Sequence, residues 1–149
     1  MWELNSLKIN MKFLEMEWSP KKADQSAAWE LYIELLTRVS TQYLQPDYGD
    51  EKTALESIHV LFPLTREIMK KYEKDCQDFA KIAIPVLNQI IRPFTAKWHR
   101  LSINGAFSDT EQCKQFRAEL VDLQQIIRRY TALLGDMAGV EDLSSLELR

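Results

Sequence analysis

Cys113, Phe116, Leu120, Leu123, Ile127, Tyr130, Leu134 and Met137 follow one another at intervals of three and four residues. That spacing returns to the same side of an α-helix at every step. A long helix with one apolar stripe must lay it against other helices. The seam therefore predicts an all-α fold, a four- to five-helix, mostly antiparallel bundle.

Other stretches repeat the pattern. From Lys21 to Leu44 the residues Trp29, Tyr32, Leu36, Val39 and Tyr43 step by three and four, with Ser19-Pro20 as the opening and Gln45-Pro46 as the end. A further helix is expected from Asp50 through Leu55, Ile58, Phe62, Thr65, Met69 and Tyr72, and another from Asp75 to Leu101. Pro63, Pro85 and Pro93 fall inside these two. A proline removes one backbone donor and clashes with the preceding turn, so the central helices are expected to kink, with breaks at Ile84 and Arg92. No Gly or Pro separates Tyr72 from Cys76, which leaves open whether these two helices are continuous. Asn104-Gly105 marks a turn, Ser108 and Glu111 read as a capping box for the last helix, and Gly135 as its stop.

Both ends of the chain are harder to read. Leu7, Ile9, Met11 and Phe13 alternate like a strand, while Leu4, Leu7, Met11, Leu14 and Trp18 suit a helix. With no partner strand evident elsewhere, helix is preferred for residues 1–18, as an extra helix or arm. Residues 138–149 read as a weakly structured tail. The 149 residues suit one helical domain with a core of its own.

Composition narrows the function classes. With 46% hydrophobic residues, 28% charged and only four glycines, this is the composition of a folded chain. A formal net charge of −3 removes the phosphate attraction that general nucleic-acid binding requires. The most apolar tract, Phe79 to Ile91, is too short and too polar to span a membrane, and the N-terminus lacks the pattern of a secretory signal. A soluble, cytoplasmic protein is expected, with Cys76 and Cys113 as free thiols.

No motif specifies a reaction, and no catalytic residue, cofactor or metal is assigned. Glu56 and His59 have an ExxH spacing, but a di-metal bundle needs two such motifs, and His99 has Ala96 where the second glutamate belongs. Phosphate loops and short nucleophile motifs are absent. The most concentrated chemistry is the segment Arg92, Phe94, Lys97, Trp98, His99 and Arg100. Cations beside aromatics are what an acidic partner, a phosphate or a stacked base would meet. The competing reading puts Phe94 and Trp98 in the core and the cations on a wet face. Arg128-Arg129, Arg66, Lys70, Lys71 and Lys74 read as solvated faces. The expected function is a non-enzymatic protein–protein interaction module or small regulatory subunit, pairing with itself as a homodimer or with another protein. The alternative is a ligand-binding bundle with a pocket or anionic-partner site near Arg92, Trp98 and His99.

Overall fold

The structure is a computed structural model that describes residues 2–4, 7–9, 19–46, 50–141 and 143. It is mostly helical. The α-helices are α1 (Lys22–Leu36), α2 (Glu51–His59), α3 (Leu61–Tyr72), α4 (Gln77–Pro85), α5 (Arg92–Ile103) and α6 (Thr110–Ala138). Because α2 to α5 follow each other through short helical joints, the described helices form three stretches of chain, which corrects the expected count of four or five. The middle stretch doubles back, since α2 packs along α5. Its reversal lies at a 3-10 turn, Glu73–Cys76, where Glu73 takes a positive φ of 53°. A single hydrophobic cluster, from Ala27 on α1 to Met137 on α6, fills the space between the stretches.

The expected proline kinks are also corrected. Val60, Pro85 and Ile91 all keep right-handed helical dihedrals, so helical geometry continues past each proline, with no break at Ile84 or Arg92. Pro63 and Pro93 sit in the first turns of α3 and α5, where a backbone donor has no intrahelical partner to lose. Pro85 closes α4, and a π-helical turn, Val86–Ile91, takes up the change of register before α5.

Helix ends differ from expectation for polar reasons. α1 starts at Lys22, not at Pro20, because the Asp24 carboxylate accepts the backbone N–H of Lys21 at 2.9 Å. The same buried carboxylate accepts the N–H of Phe79 at 3.0 Å, so one side chain serves the first turns of both α1 and α4. α1 stops at Leu36, well short of Leu44. There the hydroxyls of Ser40 and Thr41 donate to the Leu35 carbonyl at 3.0 and 2.6 Å, and the Gln42 amide donates to the Leu36 carbonyl at 2.8 Å. Local side-chain donors thus satisfy the helix's last acceptors and release the chain into a turn. α6 is capped by Asp109, not Ser108, and runs past Gly135 to a left-handed Gly139 with φ of 73°. Gly135 instead lets Tyr32 approach: a Cβ there would lie 3.1 Å from its ring.

The helix preference for the N-terminal segment is overturned for part of it. Trp2–Leu4 (β1) and Leu7–Ile9 (β2) pair antiparallel, with Trp2 opposite Ile9 and Leu4 opposite Leu7. The missing partner strand was the adjacent stretch of chain. Residues 10–18, and the expected tail beyond residue 143, lie outside the described residues.

Candidate functional site

α5 presents the segment Arg92–Arg100, and its helical period divides that segment in two. Phe94 and Trp98 are buried, Arg92, His99 and Arg100 are exposed, and Lys97 lies at the border. The two aromatics belong to a packed ring cluster with α6 and the turn before it. Phe94 and Phe116 have centroids 5.5 Å apart, Trp98 meets Phe116 edge-on at 5.2 Å and stacks with Phe107 at 6.0 Å. In this arrangement no ring face of Trp98 is open to an incoming base.

Glu119 closes the cluster. Its carboxylate accepts the Trp98 indole N–H at 3.2 Å, the Lys97 ammonium at 2.7 Å and the Gln115 amide at 3.2 Å. A carboxylate that is only 5% exposed needs such donors, because a buried unpaired charge costs several kcal/mol, on the order of 3 to 5. The sequence reading missed Glu119. Its signal was its place three residues after Phe116 and four before Leu123, an acid on the seam itself.

The other members of the segment go elsewhere. Arg92 lies over the Phe62 ring, 4.6 Å from its centroid, and donates to the side-chain oxygen of Asn88. His99 accepts from the Ser102 hydroxyl only through its backbone carbonyl, at 2.7 Å. The structure therefore joins Lys97 and Trp98 through Glu119, joins Arg92 to the opposite helix, and brings His99 and Arg100 to neither.

A cleft of about 640 Å³ opens at a different place, between the end of α1, the turn after it and the start of α2. Its polar lining is largely self-paired. Arg38 bridges Glu34 at 3.2 Å, and Asp50 accepts both the backbone N–H and the hydroxyl of Thr53, at 2.8 and 2.7 Å. The Thr53 hydroxyl and N–H hold the Asp50 carboxyl below its usual range. α6 holds the turn that contributes Val39 and Leu44 to the cleft: Gln124 donates to the carbonyls of Val39 and Gln42 at 2.6 and 2.8 Å, and Arg128 donates to that of Thr41 at 3.1 and 2.6 Å. The expectation of Arg128 as part of a solvated face is corrected by those bonds.

Cys76 and Cys113 are free thiols. Burial raises the pKa of both, helped by Asp24 at Cys76 and by Glu51 at Cys113, so neither is primed as a thiolate. Among the described residues no group of three or more His, Cys, Asp and Glu is placed to hold a metal ion. Nor is any described helix long and apolar enough to cross a membrane. Comparison with protein-family models, curated proteins and solved structures found no match to the chain.

Proposed function

We propose that the chain acts as one non-enzymatic helical interaction module, a small regulatory or accessory unit whose first partner is a second copy of itself. The observation that carries this reading is on α1. Trp29 and Ile33, one turn apart, remain 38% and 42% exposed on the outer face of α1, whose other side packs against α3, α4 and α6. Large apolar side chains grouped on one helix face mark interfaces more often than isolated ones do. The sequence adds Leu7, Met11, Leu14 and Trp18 ahead of that helix, whereas the strand Trp2–Leu4 lies against α6 of its own chain. Two-fold self-association is the commonest way to cover such a surface. The breadth of apolar residues from Phe79 to Trp98 lends little support, because apart from the exposed Ile84 that breadth is used within the core.

Light scattering over a concentration series tests the proposal. A mass rising from that of one chain, 17.5 kDa, towards twice that value supports it, and a constant single-chain mass into the high micromolar range refutes it.

A second reading, a ligand-binding bundle, draws on the cleft beside Glu34, Arg38 and Asp50 rather than on the surroundings of Trp98 and His99. Its volume suits a small molecule. The self-paired lining makes it the weaker of the two readings.

A further inference from the structure

On the face where α2 and α3 meet α5, one arginine is held in place without a counter-charge. Arg92 uses its Nε and Nη2 on the same acceptor, the Asn88 side-chain oxygen, at 3.3 and 3.1 Å. Its guanidinium carbon sits over the Phe62 ring, 4.6 Å from the centroid, a cation–π contact. A guanidinium has five N–H donors in a fixed fork. Asn88 occupies the Nε side, so the outer edge formed by Nη1 and Nη2 keeps donors with no protein acceptor among the described residues.

The surroundings add positive charge and a donor. His59 meets the same phenyl ring, its centroid 5.7 Å from that of Phe62. Arg66 is one further turn along, and the spacing 59, 62, 66 keeps all three residues on one face of the α2–α3 helix. No carboxylate pairs with Arg92 or Arg66 among the described residues, although Glu56 and Glu67 border this face.

The geometry points to a carboxylate-recognition site at Arg92, in which the Nη1–Nη2 edge receives an Asp or Glu side chain of a partner protein end-on, flanked by His59 and Arg66. A carboxylate fits better than a phosphate. The bordering Glu56 and Glu67 and the net charge of −3 oppose a multiply charged group, whereas a single carboxylate matches the planar two-donor edge. Preorganisation by Asn88 and Phe62 lowers the ordering cost that a mobile surface arginine would incur on binding. This inference rests on the reading of the chain as a protein-binding module, and it supplies the chemistry of one contact.

The test is a titration of the full chain, labelled with nitrogen-15, with an end-capped Ala-Ala-Glu-Ala-Ala peptide, which carries a single carboxylate, following the arginine side-chain signals. A saturable shift of the Arg92 Nε–H signal is expected. Arg92→Lys, which keeps the charge and loses the fork, should weaken binding about tenfold, and Asn88→Ala about threefold. Lys81→Gln, on the neighbouring α4, should leave it unchanged. Melting curves of each variant check that the fold is intact. Unchanged affinity in Arg92→Lys overturns the site, as does an equal response to inorganic phosphate. Loss of the Arg92 response in a chain that still self-associates overturns this site alone. A monomeric chain that binds the peptide through Arg92 overturns self-association and leaves the site standing.

Discussion

Two stripes run side by side along α6, and they do different work. The first, Phe116, Leu120, Leu123, Ile127, Tyr130 and Leu134, is at most 2% exposed and packs on α1, α5 and the ring cluster. The second, Arg117, Gln124 and Arg128, recurs at intervals of seven and four and faces backbone carbonyls of the turn after α1. Arg117 also bridges Glu51 at the start of α2. One stripe excludes water from a core. The other supplies hydrogen bonds to a piece of chain that has no ladder of its own, as any enclosed irregular segment requires.

The largest effect should come from cutting the apolar stripe. Phe116→Ala removes the ring that Phe94, Trp98 and Phe107 all contact, and should cost about 3 to 5 kcal/mol in urea unfolding. Leu123→Ala should cost about 2 to 5 kcal/mol. A loss below about 0.5 kcal/mol at either position would mean that the stripe is not packed.

Gln124→Leu probes the polar stripe. It keeps the volume but strands the Val39 and Gln42 carbonyls, so a loss of about 1 to 3 kcal/mol is expected, together with faster amide exchange confined to residues 38–45. A loss as large as that of Phe116→Ala, with exchange raised throughout, would erase the distinction between the stripes.

The smallest effect sharpens the boundary between them. Tyr130 is 2% exposed, and its hydroxyl has no hydrogen-bond partner among the described residues. Burial pushes its phenol well above the usual value of 10.0. A group whose native pKa is raised gives stability that is complete below the unfolded value and is lost as pH climbs above it. Stability should therefore fall as pH rises past about 10, because only the unfolded phenol then ionises. Tyr130→Phe should remove that part of the alkaline slope and change neutral-pH stability by less than about 1 kcal/mol. An unchanged slope would place the phenol in water.

The contrast between the stripes also marks what was legible in the sequence. Spacing identified the apolar stripe because periodic burial leaves a periodic pattern, and the helical class of the fold followed from it. Arg128 and Gln124 left no such mark, since a polar residue reads the same whether it meets water or a carbonyl. The end of α1 was missed for the same reason: its apolar period continues through Val39 and Tyr43, but Ser40, Thr41 and Gln42 satisfy the helix's last carbonyls and stop it at Leu36. Prolines misled in the other direction. They suggested breaks, whereas first-turn positions and a π-turn let the helix pass. In the segment Arg92–Arg100 the composition was legible and the grouping was not, because Glu119, Phe62 and Asn88, which sort its members, lie outside it.

Self-association through α1 is the functional claim on which most depends, and sedimentation equilibrium of the double variant Trp29→Ser, Ile33→Ser beside the unmodified chain tests it most directly. Both residues are partly exposed, so the variant should keep its helical spectrum and lose little in melting temperature. The expected result is a two-chain mass for the unmodified protein and a dissociation constant raised at least about tenfold in the variant, the equivalent of about 1.4 kcal/mol. An unmodified chain that stays at 17.5 kDa at every concentration, or a variant that pairs as tightly as the original, would contradict it.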